Sequence, residues 1–252
     1  MNEKPLSGRV ALITGASRGL GKSMALALAS NGAHVALAAR DEAALIAVTA
    51  EARQFNVEAD FFLCDVSSEA SVLELEQKVI ARFGQVNILV NNAGMNLRKP
   101  VTDFTLEEWN RVINTNLTSA FLLCRSFVPH MKGRNYGRII NMTSIMSHVS
   151  LPGRTAYSTS KTGLLGMTRV LALELAPENI TVVGISPGPF LTEMNLPITE
   201  NPEQNAQFLS NIPLGQWGQV QDIGSLAAFL CSDAAKFITG SDILIDGGWC
   251  AR

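Results

Sequence analysis

The sequence predicts an α/β fold, a doubly wound sheet of seven parallel strands with helices on both faces. Short apolar runs recur along the chain and alternate with longer helical runs, on short connections. The runs are apolar throughout, which is typical of parallel strands buried on both faces. No internal repeat, low-complexity segment or linker separates the units, so we expect one domain over residues 1–252.

The composition excludes several classes of function. The chain is 47% hydrophobic and 17% charged with a net charge of −2, which is ordinary for a globular protein and offers no basic stripe for nucleic acid. Its four cysteines lack C-x-x-C spacing and its three histidines lack an H-E-x-x-H pattern, so no metal site is expected. It has no signal-peptide core and no apolar run long enough to span a bilayer, which predicts a cytoplasmic protein without membrane contact.

The elements follow one another regularly. The predicted strands are residues 9–14, 33–39, 59–63, 87–90, 137–142, 180–185 and 243–245. The predicted helices are residues 19–31, 41–55, 69–83, 105–131, a segment through 157 and 161 that ends near 176, and 222–231. Gly32 is expected to cap the first helix, and Thr105 with Glu108 fits a capping box. A polar stretch over 191–218 is predicted to be irregular.

The first strand leads into a glycine-rich loop and a helix. The loop reads Thr14-Gly15-Ala16-Ser17-Arg18-Gly19-Leu20-Gly21. Glycines allow a sharp turn and a close approach of the backbone to a pyrophosphate, whose charge the helix N-terminus then meets. Strand, loop, helix and second strand form the first unit of a dinucleotide-binding Rossmann fold. Ligands of such sheets bind beyond the carboxyl ends of the strands. Four further stretches lie at such ends: Asp65, 91–94, Ser144 and 187–188.

Tyr157 and Lys161 are four residues apart, on one face of a predicted helix. A phenol is a poor base at neutral pH, but a neighbouring cation lowers its pKa and prepares it for proton transfer at a carbonyl or hydroxyl carbon. The Ser144 hydroxyl, at a strand end, could bind the same substrate oxygen. Tyr-x-x-x-Lys alone is a weak signal that an ordinary helix surface also produces.

The motifs occur together and in order, from Thr-Gly-x-x-x-Gly-x-Gly through Asn-Asn-Ala-Gly, Ser and Tyr-x-x-x-Lys to Pro-Gly, over nearly the whole chain. The sequence thereby resembles the short-chain dehydrogenase/reductase family, in its branch of about 250 residues. The resemblance implies four catalytic residues: Asn116, Ser144, Tyr157 and Lys161. It implies cofactor contacts from Gly15, Ser17, Arg18, Gly19, Leu20, Gly21, Arg40, Asp65, Val66, Asn92, Ala93, Gly94, Tyr157, Lys161, Pro187, Gly188 and Thr192. Asn92 is equally compatible with a structural role at a strand end.

Two implied roles concern proton transfer. Tyr157 would act as general acid in ketone reduction and as base in alcohol oxidation, with its pKa lowered by Lys161. Asn116 would anchor a water in a relay through Lys161, and Ser144 would hold the substrate oxygen. The family resemblance also implies a homotetramer.

The residues at the end of the second strand determine whether the cofactor is NAD or NADP. An acid there binds the ribose 2′-hydroxyl of NAD, and arginine accommodates the 2′-phosphate of NADP. Here Arg40 follows Ala39, and Arg18 in the glycine loop is a second cation. Asp41 is the rival acid, but Asp suits the start of the next helix. We therefore expect NADP in preference to NAD.

The substrate is less constrained. The stretches before Tyr157 and after Gly188 are similar to those of gluconate 5-dehydrogenases, which favours a sugar acid. Arg154 could then pair with a substrate carboxylate, although a surface or subunit-contact role is also open. The stretch 191–218 resembles the mobile substrate lid of the family, and its Met194 is a further candidate for substrate contact. The alternatives are a 3-oxoacyl-carrier-protein reductase, with a basic patch drawn from Arg98, Lys99 and Arg134, and a non-catalytic NADP-sensing regulator. Epimerases of the extended branch and enoyl reductases are disfavoured, the latter because they space their Tyr and Lys more widely.

Overall fold

The computed structural model describes residues 4–251, apart from the side chains of Met194, Leu196 and Pro197. Seven parallel strands form one sheet in the order β3-β2-β1-β4-β5-β6-β7. The strands are β1 Val10–Thr14, β2 His34–Ala39, β3 Ala59–Leu63, β4 Ile88–Asn91, β5 Gly137–Met142, β6 Ile180–Pro187 and β7 Asp242–Ile245. The helices are α1 Gly19–Ser30, α2 Glu42–Arg53, α3 Glu69–Phe83, α4 Leu106–Ile113, α5 Ser119–Met131, α6 Thr155–Leu175, α7 Leu196–Thr199, α8 Pro202–Leu209 and α9 Val220–Cys231.

The central strands of the sheet are buried on both faces, and alternate residues of β1 and β2 enter two separate cores. Ile13 and Val35 pack in the core beneath α1, α2 and α9. Leu12 and Ala36 point to the opposite core, beneath α3, α5 and α6. Both faces of β1 and β2 are therefore apolar, which explains why their sequences show no alternation. The expected doubly wound architecture is confirmed.

Most predicted boundaries lie within two residues of the observed ones, and those of β3, α3 and β5 coincide with them. Helix α6 ends at Leu175, and Gly32 follows α1 with a positive φ of 98°, as a residue after a helix terminus often does. Among the described residues, no helix is both long enough and apolar enough to cross a lipid bilayer.

The predicted helix over 105–131 is present as an unbroken helical run from Leu106 to Met131, but it is not α-helical throughout. Between α4 and α5 the chain forms a π-helical segment, Asn114–Thr118. A π turn accommodates one extra residue and rotates the side chains that follow. The predicted capping box is present at the start of α4. Thr105 accepts a hydrogen bond from the Glu108 amide, and Glu108 accepts one from the Thr105 amide.

The stretch 191–218 is also more regular than predicted, because it contains α7 and α8. Asn201 caps α8 by accepting a hydrogen bond from the Gln204 amide (3.0 Å), and Pro202 occupies the first turn, where its missing N–H costs nothing. Phe208 of α8 stacks on Trp217 at 5.4 Å between ring centroids. This aromatic contact joins two parts of the stretch 191–218 to each other.

Candidate active site

The glycine loop lies at the carboxyl end of β1, where the strand order reverses. Gly15 and Gly19 have φ of +63° and +55°, a region that other residues rarely adopt. A Cβ on Gly21 would lie 2.2 Å from the Gly15 carbonyl oxygen, so only glycine lets α1 approach the loop this closely. The loop therefore brings free backbone amides to the N-terminus of α1, which is an arrangement that fits a pyrophosphate.

Thr14 and Asn92 hold this loop against the end of β4. The Thr14 hydroxyl donates to the Val90 carbonyl (3.1 Å) and accepts from the amides of Asn92 (3.1 Å) and Ala93 (3.2 Å). The Asn92 side chain donates to the carbonyls of Thr14 (2.8 Å) and Gly15 (3.2 Å). Asn92 thus shapes the loop with its amide group. Thr14 was not predicted as a site residue; its signal was a hydroxyl at the end of an apolar strand.

At the end of β2, Arg40 is exposed and Asp41 begins the next helix. Asp41 caps α2, and its carboxylate accepts a hydrogen bond from the Ala44 amide (3.1 Å). Arg18 is also exposed and lies 3.5 Å from Glu193 in the stretch 191–218. Asp65 follows β3, and hydrogen bonds from Ser67 hold the pKa of its carboxyl below the usual range, with a smaller contribution from the charge of Arg40. Val66, next to Asp65, is buried.

Ser144 and Tyr157 come together at the end of β5. Ser144 is buried and opens the short 3₁₀ turn Ile145–Ser147 by accepting a hydrogen bond from the Met146 amide (3.1 Å). Burial raises the pKa of the Tyr157 phenol; a hydrogen bond with Ser144 and the charge of Arg154 lower it by less. Burial outweighs the other two effects, so the pKa of Tyr157 lies above its ordinary value.

Lys161 lies one turn further along α6 and is buried. Its Nζ donates to the Met142 carbonyl (2.5 Å) and lies 5.8 Å from the centre of the Tyr157 ring. Burial lowers the pKa of Lys161 to about 8. The groups that lower the Tyr157 pKa in this structure are thus Ser144 and Arg154, while Lys161 faces the main chain.

Asn116 lies in the π-helical segment and points inward. Its Oδ1 accepts from the Met95 amide (2.8 Å), and its Nδ2 donates to the Met95 carbonyl (2.9 Å) and to Ser160 Oγ (3.0 Å). A Cβ on Gly94 would lie 3.3 Å from Asn116 Oδ1 and 3.7 Å from Lys161 Nζ. Asn116 and Lys161 therefore flank the Asn-Asn-Ala-Gly turn, on the side of Tyr157.

Arg154 lies immediately before α6 and is half-buried. Burial lowers its pKa, and the charge of Arg98 adds to this effect while Tyr157 opposes it. The loop that carries Arg98 is joined to the Arg154 loop by a hydrogen bond from the Lys99 amide to the Gly153 carbonyl (3.1 Å). Neither arginine takes part in the ion pairs found over residues 4–251. Arg154 thus lies beside Tyr157, and the exposed Arg98 lies near enough to Arg154 for its charge to affect the Arg154 pKa. The signal for Arg98 was its place just after the Asn-Asn-Ala-Gly turn.

The other basic candidates do not join this pair. Lys99 forms an ion pair with Glu108 (2.5 Å). Arg134 follows α5 and donates to the His130 carbonyl (2.8 Å), at the amino edge of the sheet, opposite to the site. The predicted patch of Arg98, Lys99 and Arg134 is therefore not formed.

The end of β6 completes the site. The Gly188 amide donates to the Ile245 carbonyl (2.9 Å), and a Cβ on Gly188 would lie 2.6 Å from the Asp246 Cα, which makes glycine necessary next to Pro187. The Thr192 carbonyl accepts a hydrogen bond from the Asn195 amide (2.8 Å). The side chain of Met194, a predicted substrate contact, lies outside the described residues. The described part of the chain contains no cluster of three or more potential metal ligands.

A family model with the description enoyl-(acyl carrier protein) reductase matches residues 15–250. The chain belongs to the short-chain dehydrogenase/reductase family. It is accordingly an oxidoreductase that acts on CH–OH groups with a nicotinamide dinucleotide. The residues fit such a cofactor, because positive-φ glycines and the N-terminus of α1 form the cradle described above.

Relatives within the short-chain dehydrogenase/reductase family carry two kinds of name. The 3-oxoacyl-[acyl-carrier-protein] reductase FabG of Thermotoga maritima is 36% identical, over 96% of this chain and 98% of its own. The 2-dehydro-3-deoxy-D-gluconate 5-dehydrogenase of Dickeya dadantii is 37% identical, over 100% and 99%.

Two solved structures support the same membership. A Sinorhizobium meliloti protein assigned as a short-chain alcohol dehydrogenase superposes with a TM-score of 0.95 at 40% identity, over 100% of both chains. A Beutenbergia cavernae protein assigned as an NAD(P)-dependent gluconate 5-dehydrogenase, solved with NADP at low occupancy, has a TM-score of 0.93 at 32% identity, also over 100% of both chains.

Proposed function

We propose that the protein interconverts a secondary alcohol and a ketone with NADP(H), and that its substrate is a sugar acid. One observation carries the substrate class: half-buried Arg154 lies beside Tyr157, close enough to Arg98 to feel its charge, and forms no ion pair within the described residues. A half-buried cation next to the acid, with the exposed Arg98 near it, favours a substrate that brings its own carboxylate.

The residues divide the chemistry among them. NADPH supplies the hydride when it is bound. Ser144 holds the substrate oxygen, and Tyr157 donates its proton to that oxygen in reduction or accepts one in oxidation. Lys161 stands behind Tyr157 and returns a proton to it, and Asn116 would hold the water that relays protons to Lys161. Low-dielectric surroundings strengthen each of these contacts, since Ser144, Asn116 and Lys161 are buried.

The proposed cofactor contacts follow the strand ends. Arg40 and Arg18 would meet the 2′-phosphate of NADP, which an acid at that position would repel. Asp41 supports this assignment because its carboxylate caps α2. The bound NADP of the Beutenbergia cavernae structure agrees with it. The remaining contacts are proposed for Gly15, Ser17, Gly19, Leu20, Gly21, Asp65, Val66, Asn92, Ala93, Gly94, Pro187, Gly188 and Thr192.

A second candidate is a 3-oxoacyl-[acyl-carrier-protein] reductase, favoured by the 36% identity to the Thermotoga maritima enzyme. An acidic carrier protein requires a basic surface near the cleft, and Lys99 and Arg134 do not supply one with Arg98. A non-catalytic NADP sensor is the alternative from another class. It would have no need of the Ser144, Tyr157 and Lys161 arrangement.

Steady-state kinetics with NADPH and a panel of ketones tests the proposal. 5-Ketogluconate, an acetoacetyl thioester and a neutral ketose of the same size distinguish the three candidates. We expect turnover of the keto acid, and we expect kcat/KM for the neutral ketose to be lower by at least tenfold. Turnover of the thioester alone would identify the protein as a 3-oxoacyl-[acyl-carrier-protein] reductase. NADPH binding without turnover of any ketone would identify it as a non-catalytic sensor.

Arg154→Ala tests the carboxylate site itself. Loss of a charge-assisted pair in a partly buried position raises KM for the keto acid by roughly tenfold to a hundredfold, with a smaller change in kcat. Arg134→Ala, which removes a cation from the opposite edge of the sheet, is the matched control. An unchanged KM in Arg154→Ala contradicts the sugar-acid assignment and leaves the oxidoreductase assignment intact.

We further propose that residues 1–252 form a single catalytic domain in which 191–218 is a lid, and that the protein is a cytoplasmic homotetramer. Exposed apolar side chains on α5 and α6 support self-association, and these are Phe121, Val170 and Leu173. Light scattering coupled to gel filtration measures the mass; a monomer at micromolar concentration contradicts the tetramer.

A further inference from the structure

A buried carboxylate lies behind the active site, on the first residue of β7. The Asp242 side chain is 5% exposed. Its Oδ1 accepts from Thr143 Oγ1 (2.5 Å), and its Oδ2 accepts from Ser186 Oγ (2.6 Å) and lies 2.5 Å from His148 Nε2. Burying a carboxylate is unfavourable unless donors surround it, and here three side chains do so, two from the loop that follows β5 and one from β6.

These three partners flank the segments that form the site. Thr143 directly precedes Ser144, and His148 follows the 3₁₀ turn that Ser144 opens. Ser186 precedes the Pro187–Gly188 turn at the end of β6, and its hydroxyl also lies 2.9 Å from Thr143 Oγ1. The carboxylate of Asp242 thus joins the two strand ends between which the substrate oxygen and the nicotinamide are expected.

Gly184 is matched to this carboxylate. It pairs with Asp242 across β6 and β7, and a Cβ at position 184 would lie 2.0 Å from Asp242 Oδ1. No side chain tolerates that separation, so any other residue at 184 would displace the carboxylate. The absence of a side chain at Gly184 therefore makes the three contacts of Asp242 possible.

We propose that Asp242 is a positioning residue, which acts through Thr143 and His148 to hold Ser144 and through Ser186 to hold the Pro187–Gly188 turn. Asp242 itself contacts neither substrate nor cofactor in this role. A serine that strays by a fraction of an ångström no longer aligns the substrate oxygen with Tyr157, and such misplacement lowers the rate of the chemical step more than it lowers binding. The glycine loop, which binds the far end of the dinucleotide, lies across the sheet and is unaffected.

The test uses the full-length protein and the ketone of the NADPH panel that gives the highest turnover. Asp242→Ala is expected to lower kcat by tenfold or more while KM for NADPH stays within twofold of the wild-type value. Asp242→Asn retains the size and can still accept from Thr143, so its kcat should lie between the two. Asp233→Ala is the control, since that carboxylate is 79% exposed and pairs with Arg138 at the amino edge of the sheet.

A double-mutant cycle with Gly184→Ala distinguishes positioning from a general loss of folding. If Gly184→Ala acts by displacing the carboxylate, adding Asp242→Ala to it causes no further loss of kcat. The fraction of correctly folded enzyme is measured separately, as the stoichiometry of NADPH binding by fluorescence. Wild-type kcat in Asp242→Ala, or losses that multiply in the double variant, would overturn the proposal. If Asp242→Ala does not fold, Asp242→Asn is tested by the same two criteria, the loss of kcat and the absence of a further loss in the double variant. The test does not depend on the sugar acid being the substrate, because it uses whichever ketone gives the highest turnover.

Discussion

Burial without a countercharge sets the protonation chemistry of single residues in the site. The low-dielectric surroundings disfavour the charged form of every ionisable group, so they lower the pKa of the Lys161 ammonium to about 8 and raise the pKa of the Tyr157 phenol. The two shifts have opposite signs because one acid is cationic and the other neutral. As pH rises, Lys161 loses its proton before Tyr157 does. In the proposed mechanism, the proton supply behind Tyr157 is therefore the more pH-sensitive part of the site.

We predict that kcat/KM for NADPH in ketone reduction falls as pH rises through about 8, the value to which burial lowers the pKa of Lys161. Below this pH Lys161 is charged and the relay is intact. Lys161→Arg cannot lose its charge in this range, so its residual activity should show the decline at a higher pH. An alkaline decline at the same pH in both proteins would assign the titration to another group.

At the scale of elements, helix ends decide which side chains are available to ligands. Asp41 and Arg40 are neighbours in sequence, but Asp41 caps α2 and Arg40 is exposed at the end of β2. The π-helical segment between α4 and α5 has a comparable effect, since it directs Asn116 onto the backbone of Met95. In both cases the geometry of a helix, more than residue type, assigns the role.

Asp41→Ala is predicted to lower the free energy of unfolding by about 1 kcal/mol, the usual value of an N-cap, and to leave the ratio of kcat/KM for NADPH over NADH unchanged. Ser68→Ala removes the corresponding cap of α3 and should cost a similar amount. Arg40→Ser should instead lower the NADPH preference with little effect on stability. Urea unfolding and kinetics with both cofactors measure these quantities, and a shift towards NADPH in Asp41→Ala would restore Asp41 as a selecting acid.

For the whole molecule, the decisive feature is where β1 lies. It is paired with β2 on one side and β4 on the other, so the two halves of the sheet meet at the glycine loop. Thr14 closes this junction with three hydrogen bonds to the end of β4. Apolar residues of β1 enter both cores, through Ile13 on one face and Leu12 on the other. The proposed cofactor site is thereby supported by a strand that is buried along its whole length.

Thr14→Val keeps the shape of the side chain but leaves buried backbone groups without their partner. We expect a loss of about 1–3 kcal/mol in the free energy of unfolding and weaker NADPH binding, because the glycine loop loses its attachment. Thr181→Val is the control and should leave NADPH affinity unchanged, because Thr181 lies near the amino end of β6, away from the glycine loop. Fluorescence titration with NADPH and urea unfolding measure both effects; wild-type affinity in Thr14→Val would show that the junction does not shape the loop.

The sequence by itself determined the alternation of seven strands and their helices, the glycine loop, and the common helix face of Tyr157 and Lys161. These features depend on periodicity and on spacings of a few residues, which the chain carries locally. The tertiary structure alone decided the approach of Arg98 to Arg154, the burial that shifts Lys161, and the contacts of Asp242. Thr143 and Asp242 are 99 residues apart in sequence, so their hydrogen bond exists only because β5, β6 and β7 lie side by side. Contacts of that separation follow from strand order and side-chain packing, which no local pattern encodes.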